Sequence, residues 1–182
     1  MQKMILMLSA AVLLVFTSLP VRADMGHIAQ TTYSDREFLS GMIAHHEGAV
    51  VMAEELLKSP KNELDEQTSQ WARDILAVQG REIEEMKKLL EPLGGIDRTA
   101  FEHMEKGMHA MMHMPNQNKN PNIRFVEQMI PHHAQALDMS VPALVHSRDA
   151  KIMLLAEQII IAQTKEIYAF RVWLDSYMQT DE

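Results

Sequence analysis

The strongest constraint on the fold is an internal repeat, because a segment in the first half of the chain recurs without gaps 87 positions later. Residues 38–53 read FLSGMIAHHEGAVVMA, and residues 125–140 read FVEQMIPHHAQALDMS. The residues shared by both copies are Phe38, Met42, Ile43, His45, His46, Ala49 and Met52, matching Phe125, Met129, Ile130, His132, His133, Ala136 and Met139. A second repeat has an offset of 84, and its matched residues are Ala72, Ile75, Gln79, Glu82, Ile83 and Leu90 with Ala156, Ile159, Gln163, Glu166, Ile167 and Leu174. The chain therefore uses one two-segment unit twice.

Apolar residues recur at helical spacing in these repeated segments. In the first segment, five residues share one helical face because they are three, four or seven positions apart: Met42, His45, His46, Ala49 and Met52. Ser34 and Glu37 form the S-x-x-E capping box that typically begins a helix. These signals predict long helices at about residues 35–58, 63–91, 122–145 and 148–178.

The sequence contains no alternating β-branched run bounded by turns, so the predicted fold class is all-α. Two antiparallel hairpins that each bury one apolar face most simply form a four-helix bundle with approximate two-fold symmetry. Residues 97–122 would connect the two halves. Their first part, DRTAFEHMEKGMHAMMHM, could form a short helix, and their second part, PNQNKNPN, has the composition of a polar linker.

The first 23 residues have the pattern of a secretory signal peptide. Lys3 precedes the apolar run MILMLSAAVLLVFTSL, and Val21 and Ala23 suit cleavage before Asp24. An uncleaved membrane anchor is the alternative, but the apolar run is short for a span. We therefore expect residues 24–182 to form a single four-helix-bundle domain in the periplasm or outside the cell, with no membrane span after cleavage.

Composition restricts how such a domain is stabilised and what it binds. The chain has no cysteine, so disulfides cannot stabilise it in an oxidising compartment. Removing Lys3 and Arg22 leaves 15 basic against 25 acidic residues, which argues against nucleic acid as a partner. The chain also has 16 methionines, an unusual number that packing alone does not demand.

The repeated His-His pairs are candidate metal ligands. A single buried histidine is usually a hydrogen-bonded core residue, which is the alternative here. Two pairs in matching surroundings, each with a methionine three residues before its first histidine, favour a metal site. Imidazole binds several transition metals and thioether favours Cu(I), so the predicted ligands are those of a copper site: Met42, His45, His46, Met52, Met129, His132, His133 and Met139. Cu(I) is favoured over Cu(II).

Glu82 and Glu166 are the repeated carboxylates of the partner helices, together with the repeated amides Gln79 and Gln163. The simpler expectation is that these four side chains are solvated on the surface. The alternative is that they accept hydrogen bonds from histidine N–H groups and orient the imidazoles.

The connecting segment carries a second group of candidate ligands, namely His103, Met108, His109, Met112 and His113. A flexible or helical cluster of this composition could capture Cu(I). The alternative is that its methionines pack on the bundle, since methionine fills irregular gaps well.

The doubled M-I-x-H-H motif, followed by Q-x-x-E-I at residues 79–83 and 163–167, resembles a family of CopM-like periplasmic copper-binding proteins. The family is long catalogued as of unknown function and has a ferritin-like helical bundle. The resemblance covers about residues 33–178 and implies copper binding in support of copper tolerance. Two departures concern site geometry: Ala44 stands where the first motif usually has proline, and Ala134-Gln135 stands where the second usually has Gln-Gly.

These observations predict a periplasmic protein that sequesters, buffers or hands on copper, with another periplasmic copper protein as the candidate recipient, and that is not an enzyme. One alternative is a ferritin-like di-metal oxidoreductase, which the missing Glu-x-x-His motifs disfavour. The other is a metal-free helical interaction protein.

Overall fold

The structure is a computed structural model that describes residues 33–114 and 118–180, so the signal peptide predicted at residues 1–23 lies outside the described residues. In these ranges the chain forms helices and no strands. The helices are α1 (Asp35–Leu57), α2 (Glu66–Leu90), α3 (Arg98–Met112), α4 (Pro121–His146) and α5 (Ala150–Thr180), with short 3₁₀ turns at Lys61–Glu63 and Glu91–Leu93. Within the same ranges, none of the helices combines the length and apolar character needed to cross a membrane.

The helix starts follow from side-chain caps. The Ser34 hydroxyl accepts a hydrogen bond from the Glu37 N–H at 3.3 Å, as the capping box predicts. Asp65 caps α2 in the same way, through the Thr68 N–H at 3.0 Å. This cap corrects the predicted start near residue 63, because the three residues Lys61–Glu63 form a separate 3₁₀ turn instead. The other predicted boundaries agree with the structure to within about two residues.

The predicted pairing of helices into two hairpins is confirmed. Helix α1 packs on α2, α4 packs on α5, and contact between α1 and α4 joins the hairpins. The buried side chains between them fall into two clusters, one around Leu39, Ile43 and Met86 and the other around Phe125 and Phe170. The described chain is therefore an all-α helical bundle. The ferritin-like character implied by the family resemblance stays a prediction.

Helix α3 is the short helix predicted in the connecting segment, and it packs along α1. Its Met108 is only 3% exposed and lies against Gly48 of α1. A Cβ atom added at Gly48 would lie 3.0 Å from Met108 Cγ and 3.2 Å from its Sδ, so glycine gives α3 the room to approach. The connection before α3 is held by Arg36, whose Nε donates to the Gly95 carbonyl at 2.8 Å.

Candidate metal centre

The two His-His pairs meet where α1 crosses α4, and all four imidazoles are fully buried. The first histidine of each pair reaches across to the opposite hairpin. His45 Nε2–H donates to the His132 carbonyl at 3.0 Å, and His132 Nε2–H donates to the His45 carbonyl at 2.9 Å. The two rings lie with their centroids 3.7 Å apart. Equivalent residues of the two repeats, His45 and His132, therefore form a contact between the two hairpins.

The second histidine of each pair bonds to the partner helix of its own hairpin. His46 Nε2 is 2.8 Å from Glu82 Oε2, and His133 Nε2 is 2.6 Å from Glu166 Oε2. Neighbouring side chains diverge by about 100° around a helix, which is why the two members of a pair have different acceptors. The edge of Phe170, a residue that the repeat pattern did not single out, packs against His133 with centroids 5.3 Å apart.

The expectation that Glu82 and Glu166 are solvated surface groups is wrong. Both accept a hydrogen bond from a buried imidazole, although their side chains stay 16% and 31% exposed. The physical reason is that a buried N–H needs an acceptor, and a carboxylate at the border of the core can supply one while remaining partly hydrated. Gln79 and Gln163 are also not solvated: they are buried, and the Oε1 atoms of both lack a hydrogen-bond partner in the described part of the chain.

The acceptors fix where the hydrogen atoms lie on His45 and His132. A carbonyl oxygen can only accept, so Nε2 of each ring carries the hydrogen, and a neutral ring then leaves Nδ1 as a bare lone pair. Burial, followed by the charge of neighbouring histidines, lowers the pKa of His45 to about 3 and lowers the pKa of His132 well below its ordinary value. Both rings are therefore neutral at pH 7.

The Nδ1 atoms are the unusual feature of the site. Among the described residues, Nδ1 of His45 and Nδ1 of His46 are buried without a hydrogen-bond partner. In the second half, Nδ1 of His132 faces Nδ1 of His133 at 3.4 Å. His133 donates its Nε2–H to a carboxylate, so in its neutral form its Nδ1 is also a lone pair. Two facing lone pairs repel each other unless a proton or a metal ion lies between them.

The predicted methionine ligands lie on the same helices as the histidines. Met42, Met52 and Met129 are at most 2% exposed and belong to the core clusters. Met139 is half-buried, and its Cε lies 3.5 Å from the position of a Cβ added at Gly41. These thioethers lie inside the bundle, one to two helical turns from the imidazoles along the chain.

The five candidate ligands of the connecting segment do not form one cluster. Met108 is buried against α1 and Met112 is half-buried, whereas His103, His109 and His113 are exposed. Met108 lies against Gly48, so this residue packs on the bundle, as the alternative for this segment expected.

No three histidine or carboxylate side chains within residues 33–114 and 118–180 are arranged so that together they could hold a metal ion. The nitrogen donors at the crossing of α1 and α4 are therefore pairs of imidazoles, and buried thioethers lie on the same helices. That donor set suits a soft ion with a low coordination number.

Several solved structures share this fold. CopM is similar in its Cu(II)-bound, Cu(I)-bound and Ag-soaked forms, at 27%, 26% and 26% identity with TM-scores of 0.67, 0.64 and 0.66. Each match covers 80% of this chain and 98% of the CopM chain. A DUF305 fragment from Deinococcus radiodurans covers 78% of this chain and 95% of its own, with a TM-score of 0.61, and at 23% identity it supports the fold alone.

No curated protein matches the sequence. A family model described as "Domain of unknown function (DUF305)" matches residues 21–90 and 122–182, which include both His-His segments and the whole of their partner helices α2 and α5. The segment that contains α3 lies between the two matched ranges. Because the match extends over more than half of the sequence, the chain belongs to the DUF305 family.

Proposed function

We propose that this protein binds copper through the imidazoles and thioethers of its repeated motif, and that it sequesters, buffers or hands on the metal in the periplasm. The observation that carries the proposal is the state of the four buried imidazoles. Each uses Nε2 in a hydrogen bond. The Nδ1 atoms of His45 and His46 have no hydrogen-bond partner among the described residues, and those of His132 and His133 face each other at 3.4 Å. Buried polar atoms are normally paired, so two unpartnered nitrogens beside a facing pair support a ligand-binding site.

The second half of the repeat offers a chelating pair. Two nitrogens that bind one ion at about 2.0 Å, the usual metal–imidazole distance, lie about 3.4 Å apart when the angle at the metal is near 120°. The Nδ1 atoms of His132 and His133 have this separation. In the first half, the ring centroids of His45 and His46 lie 6.0 Å apart, against 5.6 Å for His132 and His133.

The identity of the ions bound by CopM supports copper as the cargo. CopM has been solved with Cu(I), Cu(II) and Ag bound. In this chain, Met42 and Met129 supply soft thioether groups three residues before the first histidine of each pair. Imidazole with thioether favours Cu(I) over harder divalent ions.

The carboxylates have a supporting role in this proposal. An imidazole that donates its second N–H to a carboxylate is held in one orientation and becomes a more basic ligand. Glu82 and Glu166 would act on His46 and His133 in this way. We propose storage or transfer of copper as the role of this site.

The proposal is tested by Cu(I) titration against a chromophoric competitor, using two sets of matched variants. His46→Gln/His133→Gln removes the imidazole lone pairs but keeps an N–H donor for each carboxylate. Met42→Leu/Met129→Leu removes two thioethers with little change in packing volume. Met86→Leu is its control, because Met86 is a buried methionine of α2 that is not among the matched residues of the repeats. We expect both double variants to bind Cu(I) more weakly than the parent and Met86→Leu to bind like the parent. Parent-like Cu(I) affinity in a folded His46→Gln/His133→Gln variant would overturn the proposal.

A further inference from the structure

The exposed face of α3 carries a second arrangement of histidines, outside the ranges that define the family. His109 and His113 are one helical turn apart, and both side chains are exposed. Their rings stack with centroids 4.1 Å apart and planes inclined by 18°. Two imidazoles four residues apart on a helix are close enough to bind one metal ion.

The backbone already holds one of these rings in the orientation of a metal ligand. His113 Nδ1–H donates to the His109 carbonyl at 2.8 Å. A neutral His113 ring then has its lone pair on Nε2. Histidines that bind metals are commonly held in this way, with the second N–H on a backbone carbonyl or carboxylate.

The position of Met108 keeps its thioether away from this pair of histidines. Its thioether is packed against Gly48 of α1, so it cannot join the exposed histidines without α3 moving away from the bundle. Two exposed imidazoles completed by water form a borderline donor set, which favours divalent copper over Zn²⁺ and Ni²⁺ and has no particular preference for Cu(I).

We propose that His109 and His113 form a surface site for Cu²⁺, separate from the buried histidines of α1 and α4. The stacked rings would turn about their side-chain bonds so that both lone pairs meet at the ion, and their exposure allows this rotation. His113 is the C-cap residue of α3, directly after Met112. An ion bound by both histidines would therefore join the last turn of the helix to its C-cap. In this proposal the imidazoles of the segment bind the ion without its methionines.

The site is tested by titrating the whole protein with CuSO₄, followed by calorimetry and by electron paramagnetic resonance of the bound Cu²⁺. The variant is His109→Ala/His113→Ala, and the control is His103→Ala, which removes an exposed histidine of the same helix. We expect the double variant to lose one equivalent of Cu²⁺ per chain together with its nitrogen hyperfine signal, and the control to lose neither. Each single substitution should weaken Cu²⁺ binding at this site by at least about 10-fold.

Two results would overturn the inference: retention of every Cu²⁺ equivalent by the double variant, or an equal loss in His103→Ala, which would indicate general binding by surface histidines. The inference is independent of the buried site. Failure of the buried site would appear as parent-like Cu(I) binding in the His46→Gln/His133→Gln variant. That result would leave the Cu²⁺ comparison on α3 unchanged.

Discussion

His45 and His132 exchange hydrogen bonds across the centre of the bundle, each donating Nε2–H to the backbone carbonyl of the other at 3.0 and 2.9 Å. The exchange joins α1 to α4 at equivalent positions of the two repeats. It also determines the tautomer of both rings, because a carbonyl accepts but does not donate.

Substitution of His132 by alanine should lower the free energy of unfolding by about 2–4 kcal/mol, because it removes a buried ring and leaves the His45 carbonyl without its second donor. The measurement is urea denaturation of the metal-free protein at pH 7. His146→Ala is the control, since His146 is exposed near the end of α4, and it should change stability by no more than about 0.5 kcal/mol. An effect of similar size in both variants would contradict the structural role of His132.

The metal-free protein should become less stable as the pH falls below the ordinary histidine pKa. The pKa of His45 is lowered to about 3 in the folded protein. At pH values between 3 and the ordinary histidine pKa, the unfolded chain therefore binds a proton at His45 that the folded protein does not bind. The contribution of neutral His45 to the free energy of unfolding is fully present above about pH 6.5 and is lost as the pH falls toward 3. Between pH 7 and pH 5 this loss is about 2 kcal/mol. His132 has a pKa shift in the same direction and adds to this loss.

The pH effect is measured by comparing urea denaturation at pH 7 and pH 5 in the parent and in His45→Gln. The neutral amide cannot take up a proton, so the variant should lose about 2 kcal/mol less than the parent over this interval. An identical loss in both proteins would mean that His45 does not titrate as its burial implies.

Removal of the carboxylates that orient the imidazoles should weaken copper binding without unfolding the protein. Glu82→Gln and Glu166→Gln should each reduce Cu(I) affinity by about 10- to 100-fold, because the amide is a weaker acceptor for His46 or His133. Competition titration measures the effect. Glu84→Gln is the matched control, since Glu84 is exposed on α2 and pairs with Lys87, and it should bind like the parent.

The close approach of α3 to α1 should depend on Gly48. Gly48→Ala places a methyl group 3.0 Å from Met108 Cγ, so the Met108 side chain must move away by a few tenths of an ångström, and we expect a loss of about 1–3 kcal/mol. Gly107→Ala on α3 itself meets no atom within 4 Å and should instead stabilise the protein by about 0.5–1 kcal/mol through helix propensity. Thermal unfolding measures both, and hydrogen exchange of α3 amides should increase in Gly48→Ala alone.

Sequence periodicity was sufficient to predict the helices and their pairing. The repeat of residues 38–53 at 125–140 implies two equivalent hairpins, and the cap at Ser34 gives the start of α1. Both signals are local, so they need no knowledge of the packed bundle. The predicted start of α2 near residue 63 was wrong, because the cap is Asp65, whose carboxylate accepts a hydrogen bond from the Thr68 N–H.

The roles within the His-His pairs could not be predicted in this way. Spacing places His45 and His46 on a buried face, but only the crossing of α1 and α4 determines that His45 reaches the other hairpin and His46 reaches Glu82. The inward direction of Met108 was also unpredictable, because it depends on the absence of a side chain at Gly48, 60 positions away in the chain.

The exchanged bonds of His45 and His132 also have a mechanical consequence. A helical turn rises about 5.4 Å, so sliding one hairpin along the other by even a fraction of a turn would lengthen both bonds together. Both rings would then be free to rotate, and their Nδ1 atoms would lose their fixed positions. The alignment of the two hairpins and the orientation of the four imidazoles are therefore a single property of the bundle, and any force that shears α1 against α4 would disturb both halves of the proposed copper site at once.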